Sequence, residues 1–323
     1  MKMTYSEAVK DAMRNEMLKD SRVFLAGEDI GVMGGSFGCS AGLLKEFGPD
    51  RIVNTPISET AIVGMGVGAA AAGMRPIVEL MYLDFAGCAM DEIMNQAAKM
   101  RYMFGGTCTM PLVIRAAGGA TVRAAAQHSQ MIEAMFTHIP GLKVVCPSSP
   151  ADAKGLLITA IEDDNPVVFI EHKALYSMKG EVKEGLDCAV PFGQANILRE
   201  GKDITIVGWS YMAHVAMEAA EKLAAKGIEA EVIDPRTLVP FDEDSIIKSV
   251  KKTHRLCIVQ EAVRTSGFAS EICALVAESC IDELDENIIR ITAPNCPIPY
   301  SAVLEDAYVP SADVVVEKIS ELF

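Results

Sequence analysis

The sequence predicts two α/β domains built on mostly parallel, doubly wound sheets. Three observations lead there. Short apolar runs alternate with helical patterns from about residue 22 to 170, and the same alternation resumes near residue 203. Between them, residues 172 to about 190 carry Gly180, Gly185 and mixed charges, as a linker does. The 323 residues suffice for two domains, and a hydrophobic content of 50% is ample for two cores. The domains are expected over residues 1–180 and 190–323.

Thr4-x-x-Glu7 spells a capping box, so a helix begins almost at once. Strands are expected at Val23–Ala26, Pro76–Leu80, Pro111–Ala116, Lys143–Cys146 and Val167–Glu171, with helices near 59–73, 86–101 and 150–163. Ser149-Pro150-x-Asp152 supplies the last helix with an N-cap, a first-turn proline and a third-position acid. Beyond the linker the order is strand Asp203–Trp209, helix 211–226, strand Glu229–Ile233, helix 242–252, strand Leu256–Gln260, helix 267–281 and strand Ile288–Ile291. There is no short-period repeat and no low-complexity tract.

Composition narrows the function. The formal charge is −15, which repels phosphate backbones and argues against nucleic-acid binding. No run of about 18 uncharged apolar residues occurs, so no membrane span is expected. Met1-Lys2-Met3-Thr4-Tyr5-Ser6-Glu7 has no apolar signal core, and the nine cysteines are scattered without a C-x-x-C pair. Both features point to the cytoplasm and to reduced thiols. From residue 281 onward nine acids face only Arg290 and Lys318, a local charge of −7. That stretch is expected to form a solvated acidic face or a dock for a basic partner.

The chemistry concentrates between residues 57 and 130. Ile57-Ser58-Glu59-Thr60 opens the run Glu59-x4-Gly64-Met65-x-x-Gly68. Met81-Tyr82-Leu83-Asp84-Phe85 and Gln127-His128-Ser129-Gln130 follow. A carboxylate at a helix start is favoured by the helix dipole and aims at whatever fills the adjoining crevice. Gly64-x-Gly66-x-x-Ala69 also matches a loose dinucleotide fingerprint, but those glycines should follow a strand directly. Here Pro56-Ile57-Ser58-Glu59 intervenes, and Gly64 to Gly73 has helical periodicity. The tract reads better as a helix built for close packing. Phe85 fits a ring-stacking role or an ordinary core. His138 reads as structural, His172 stays open, and His214 and His254 read as bland.

Glu-x4-Gly-Φ-x-x-Gly resembles the pyrimidine-domain motif of thiamine diphosphate enzymes. The resemblance extends over nearly the whole chain. Gly27-Glu28-Asp29-Ile30-Gly31, the block from Asp50 to Glu59, Gly73-Met74-Arg75-Pro76, Asn95-Gln96-Ala97-Ala98-Lys99, Gln127-His128-Ser129-Gln130 and the block from His138 to Val145 are similar to β subunits of 2-oxoacid dehydrogenase E1 components. Asp84-Phe85-Ala86-Gly87-Cys88, Arg101 to Gly106, Arg123 to His128, Cys146 to Pro150 and Glu171 to Met178 look most like the acetoin dehydrogenase branch.

The resemblance implies a thiamine-binding pyrimidine-type domain followed by a transketolase C-terminal-type domain. It implies that Glu59 holds the aminopyrimidine N1′, favouring the tautomer that removes the thiamine C2 proton. It carries Ile57 and Phe85 over as cofactor contacts and His128 as the group that moves a proton on the substrate. It also implies a potassium site, made largely of backbone carbonyls, at Leu112, Ala160, Ile161, Asp163 and Asn165. The Gly-Asp-Gly segment with which diphosphate-binding chains of this family hold Mg²⁺ does not occur here. The α subunit is therefore expected to hold the diphosphate and Mg²⁺ in an α2β2 heterotetramer that serves a lipoyl-bearing E2 and an E3. Asp91-Glu92 departs from the family's usual Asp-Gln.

The activity expected is thiamine-dependent cleavage of acetoin, with release of acetaldehyde and transfer of a two-carbon unit to E2. A pyruvate or branched-chain 2-oxoacid E1β is the alternative with the same machinery. A non-catalytic E2-docking scaffold is an alternative of another class, which the presence of Glu59, Phe85 and His128 argues against. A nicotinamide dehydrogenase would need a fingerprint placed directly after a strand.

Overall fold

A computed structural model describes residues 1–323. The first half runs β1 (Lys2–Thr4), α1 (Tyr5–Lys19), β2 (Val23–Glu28), α2 (Leu43–Phe47), β3 (Ile52–Thr55), α3 (Glu59–Ala71), β4 (Arg75–Leu80), α4 (Ala98–Met103), β5 (Val113–Gly118), α5 (Glu133–Thr137), β6 (Lys143–Val145), α6 (Pro150–Glu162), β7 (Val167–His172) and β8 (Lys179–Glu181). The second half runs β9 (Asn196–Arg199), β10 (Ile204–Gly208), α7 (Tyr211–Ala224), β11 (Ala230–Asp234), β12 (Thr237–Val239), α8 (Glu243–Thr253), β13 (Leu256–Val263), α9 (Ala269–Cys280), β14 (Ile289–Ala293), α10 (Ala302–Tyr308) and α11 (Ala312–Ser320).

Local chemistry accounts for the starts of these helices. The Thr4 hydroxyl accepts from Glu7 N–H at 3.2 Å while the Glu7 carboxylate accepts from Thr4 N–H at 2.7 Å, the reciprocal box that the sequence spells. Ser149 caps α6 by accepting from Asp152 N–H at 3.1 Å, with Pro150 leading the helix. The strands β5, β7, β10 and β11 are buried along their whole length. Near-continuous apolar runs of this kind belong to parallel sheets covered on both faces.

Six parallel strands form the first sheet in the order β6-β7-β5-β4-β2-β3. The second sheet has the order β14-β13-β10-β11-β9, parallel except for β9. The two halves are stitched together. β12, from the second half, joins the first sheet antiparallel to β6, with Thr237 opposite Val145. One apolar core runs from α3 through β4, β5 and β7 to Trp209, Ile233, Ile258 and α9. A second core lies under α1 and α6, and a third under α7 and α11.

The structure differs from the sequence reading in three places. The helix expected over 86–101 is broken into a 3₁₀ stretch at Leu83–Ala89, a wide π-type stretch at Glu92–Ala97 and α4. Apolar periodicity alone does not distinguish 3.6 residues per turn from these neighbours. The segment read as linker is not free chain. His172 and Lys173 are buried at the end of β7, and Lys179–Glu181 pairs with Lys2–Thr4. The acids beyond residue 281 do not form one face. Glu305 is wholly buried and, with Asp306, pairs with Arg123 of the first half, while Asp313 pairs with Lys222. Only a tertiary fold brings those partners together.

The glycine tract lies inside α3. A Cβ on Gly66 would sit 2.8 Å from Val78 Cγ1 and 2.9 Å from Leu112 Cδ1, whereas one on Gly68 would meet nothing within 4 Å. Gly66 is thus where the helix presses on the sheet, and no phosphate loop is formed. Gly66→Ala is expected to destabilise the isolated chain by about 1–3 kcal/mol through overpacking, offset in part by helix propensity. Gly68→Ala is expected to be neutral or to stabilise by up to about 1 kcal/mol. Urea unfolding of the two variants checks the contrast, and equal stabilities would contradict this placement of α3.

Candidate active site

In open parallel sheets, ligands gather outside the carboxyl ends of the strands. Five such ends meet here: β2 at Glu28, β3 at Thr55, β4 at Leu80, β5 at Gly118 and β7 at His172. The segments that leave them carry Glu59, Phe85, His128 and Lys173. The sheet order therefore collects on one edge residues that are far apart in the chain.

Glu59 is the first residue of α3 and is half-buried. Next to it, Thr60 Oγ1 donates to Cys88 C=O at 2.6 Å, which ties the start of α3 to the turn carrying Phe85. Burial, then the charges of Asp29 and Glu59, hold the Glu28 carboxyl above its ordinary range, so Glu28 and Glu59 share one electrostatic neighbourhood. Ile57 is 74% exposed on the approach to the helix.

Tyr82, Phe85 and His128 form a mutual edge-to-face cluster. Ring centroids lie 4.8 Å apart for Tyr82–His128, 5.2 Å for Phe85–His128 and 5.5 Å for Tyr82–Phe85. Gln130 donates to Asp84 Oδ1 from its side chain at 2.8 Å and from its backbone at 3.3 Å. Asp84 Oδ2 is buried and has no partner in the chain. Aromatic faces, an exposed apolar residue, an unmatched acceptor and a carboxylate leading a helix together fit a flat, polar heteroaromatic ring.

The rest of the site is invisible to local pattern. Lys173 donates to His128 C=O and to Ser129 Oγ at 3.3 Å, and its ammonium lies 5.3 Å from the Tyr82 ring centroid. Burial lowers its pKa to about 8. His172 Nε2 lies 2.7 Å from Glu261 Oε2 and stacks on Tyr211 with ring centroids 5.1 Å apart. Glu261 Oε1 accepts from Ala120 N–H at 2.6 Å. Glu133, just beyond the His128 loop, accepts from Trp209 Nε1–H at 3.1 Å. The one available signal was the charged triplet Glu171-His172-Lys173 at the end of the otherwise apolar strand β7. His214, read as bland, also crosses between the halves, 2.7 Å from Ser148 C=O. His138 is exposed, and His254 ends α8 with Nδ1 2.8 Å from Glu283 C=O.

The positions carried over for potassium lie at the opposite edge. β5 spans six residues, about 20 Å, and Leu112 precedes it. Ala160 and Ile161 end α6, and Asp163 and Asn165 form the turn into β7. Oxygen atoms do gather there, and several of them have partners already. Arg75 donates to the carbonyls of Ile161 at 3.1 Å, Glu162 at 2.6 Å and Asp163 at 3.5 Å. Leu112 C=O accepts from Val167 N–H at 2.9 Å, and Arg101 donates to Asn165 Oδ1 at 2.7 Å. Any further cation there would share a helix C-terminus with a guanidinium.

Glu92, the departure from the usual pattern, stands against α3: a Cβ on Gly64 would lie 3.5 Å from its carboxyl carbon. Of the cysteines, Cys39, Cys146, Cys257 and Cys280 are buried, whereas Cys88 and Cys296 are exposed. No helix is long and apolar enough to cross a membrane.

Comparison with known proteins identifies the two domains and the family. The family model for the transketolase pyrimidine binding domain matches residues 1–179, and that for the transketolase C-terminal domain matches residues 193–315. The chain is 51% identical over 321 residues to the acetoin:2,6-dichlorophenolindophenol oxidoreductase subunit beta of Cupriavidus necator, covering 96% of this chain and 94% of that protein. It is 46% identical over 322 residues to the pyruvate dehydrogenase E1 component subunit beta of Rickettsia felis, covering 100% and 98%. A solved chain described as a split gene transketolase, inactive beta4 tetramer, superposes with a TM-score of 0.80 at 23% identity, over 99% of this chain and 97% of that one. That last likeness speaks for the fold.

Glu133 gives the site region a pH dependence. Burial raises its pKa to about 7, and its Oε2 has no partner. The unfolded chain loses this proton near the ordinary glutamate value of about 4.3, so across the interval up to about 7 the folded state binds more protons. Stability therefore falls as pH rises through that window and levels off above it. Asp234, raised by burial to about 7, adds to the same slope. Glu133→Gln is expected to lose less stability than the parent between about pH 5 and about pH 8. Urea titrations at both pH values measure the difference, and identical slopes would contradict the assignment.

Proposed function

Because the chain belongs to the family of thiamine-diphosphate-dependent 2-oxoacid dehydrogenase E1-component β subunits, we propose that it is the β half of an acetoin-cleaving E1. With an α subunit it cleaves acetoin, releases acetaldehyde and passes a two-carbon acyl unit to a lipoyl group on E2. The observation that carries this reading is the meeting of the Glu59-led helix, Phe85 and His128 at one sheet edge.

Thiamine diphosphate, when bound, supplies the nucleophilic carbon and the electron sink that carbon–carbon cleavage needs. Glu59 would hold the aminopyrimidine at N1′ through its carboxylate, with the positive end of α3 behind it. Phe85 and Tyr82 offer ring contacts, each such contact contributing about 0.5–1.5 kcal/mol beyond burial. Ile57 adds an apolar contact from the entry side. His128 moves a proton to or from the substrate hydroxyl, as suits an imidazole near neutrality.

The sequence has no Gly-Asp-Gly segment for Mg²⁺, so the α subunit holds the metal and the diphosphate. One exposed apolar run supports such a partner: Tyr102-Met103-Phe104, which are 89%, 73% and 57% exposed. The assembly is an α2β2 heterotetramer in the cytoplasm that serves E2 and E3. Potassium, if bound at Leu112, Ala160, Ile161, Asp163 and Asn165, braces the edge away from the chemistry. A pyruvate or branched-chain 2-oxoacid as substrate is the second reading, supported by 46% identity to the Rickettsia felis protein over the full length.

A substrate panel on the co-expressed αβ complex, read with an artificial electron acceptor, separates the two readings. The highest kcat/KM is expected for acetoin, and a 2-oxoacid preferred by about tenfold would replace it, since that margin is about 1.4 kcal/mol of discrimination. Glu59→Gln is expected to leave assembly intact and to slow hydrogen–deuterium exchange at thiamine C2 by roughly 100-fold or more. Exchange at the parental rate would sink the role of Glu59. Calorimetry on the chain alone is expected to show weak binding of thiamine diphosphate with Mg²⁺, and tight binding would contradict the division of the site between subunits.

A further inference from the structure

The loop from Gly119 to Gln130 brings His128 to the site along a strained path. Thr121, Arg123 and Ala125 all have positive φ, at 82°, 62° and 63°. Residues with side chains persist in that region only where their surroundings over-determine it. Gly119, at φ 89°, passes so close to His172 that a Cβ would sit 2.0 Å from Nε2.

The surroundings that hold this path come largely from the C-terminal domain. Glu261, on β13, accepts from Ala120 N–H at 2.6 Å. His172 Nδ1 accepts from Ala174 N–H at 3.1 Å, so the ring proton sits on Nε2 and is donated to the second oxygen of Glu261 at 2.7 Å. Glu305, on α10, is wholly buried and accepts from Arg123 N–H with both oxygens at 3.2 Å. It also pairs with the Arg123 guanidinium, whose Nη2 donates to Asp306 at 2.6 Å. Ala120 packs against Ala293, Ile298 and Tyr308 of the same domain. On the far side, Lys173 holds the His128 carbonyl.

We propose that Glu261 and Glu305 are positioning residues for His128. They are two carboxylates of the C-terminal domain that bind backbone N–H groups of the loop and keep it in its strained form. The place of the histidine is then set by the domain that contributes no side chain to the cofactor contacts. Loss of either carboxylate loosens the backbone that carries His128 while leaving Glu59, which stands on α3, where it is. The inference rests on the proton-transfer role given to His128 above.

The test uses the αβ complex carrying Glu305→Gln. Hydrogen exchange of the peptide spanning residues 118–131 is expected to rise roughly tenfold or more while the rest of both domains keeps its protection. For the preferred substrate, kcat is expected to fall roughly tenfold or more at little-changed KM, with thiamine C2 exchange at the parental rate. Glu305→Asp, which keeps the charge, should recover part of both effects. Unchanged exchange in the peptide overturns the proposal, as does protection lost throughout both domains, or a parental kcat despite an opened loop. If Glu305→Gln does not assemble, Glu261→Gln is read in the same way at Ala120. The exchange readout does not depend on which substrate is preferred, so failure of the acetoin reading is distinguishable from failure of this one.

Discussion

One buried guanidinium sets the register of the strands on which the site is built. Arg115 lies in the middle of β5 and is 2% exposed. It donates to Glu79 on β4 at 2.6 Å and to Glu171 on β7 at 2.7 and 2.9 Å. Removing one member of such a group typically costs about 3–5 kcal/mol, because an uncompensated charge stays buried. Burial already pushes the Glu79 carboxyl above its ordinary range, and Arg115 works against that push. A one-residue slip of β5 would turn Arg115 to the opposite face and leave two carboxylates without their cation. The register that avoids this also aligns the ends of β4, β5 and β7, from which Phe85, His128 and Lys173 depart.

The second organising feature is the seam between the halves. A shared apolar core, the β12 addition to the first sheet and buried polar contacts all cross it. Ser148 donates to Asp234 across this seam, and Trp209 donates to Glu133. Each buried acceptor left unmatched here would cost about 1–3 kcal/mol, so these polar contacts specify one docking of the domains more sharply than apolar area could. The backbone of the loop that carries His128 is tied to the second domain at Ala120 and Arg123, through Glu261 and Glu305.

Much of this was legible in the sequence, and the limits follow one rule. The α/β alternation, the Thr4 and Ser149 caps and the position of Glu59 at a helix start depend on neighbours within one or two turns, and all are found. Phe85 and His128 were legible as residue types in polar, post-strand segments, but their mutual contact was not. Lys173, Glu261 and Glu305 were missed because their partners lie 45, 141 and 182 residues away. A charge count placed Glu305 on an acidic face, either solvated or docking a basic partner, although it is wholly buried. Local statistics see a carboxylate as surface unless a cation is near in sequence, and the cation here is Arg123.

The glycine tract illustrates how position decides chemistry. In a phosphate loop the glycines follow the strand at once, so that backbone N–H groups at the helix start face an anion. Here β3 ends at Thr55, α3 begins at Glu59, and Gly64 comes more than a turn later. By then the helical N–H groups are bonded within the helix, and none is left for a phosphate. What the glycines offer instead is a thin helix wall. Gly66 lets α3 settle against Val78 and Leu112, while Gly64 and Gly68 leave its other side shallow. The residue that opens this helix is a carboxylate, Glu59. A negative charge there repels a diphosphate and suits the protonated nitrogen of a neutral ring. On the proposed reading, that charge is an electrostatic reason for the diphosphate to be held away from this helix start.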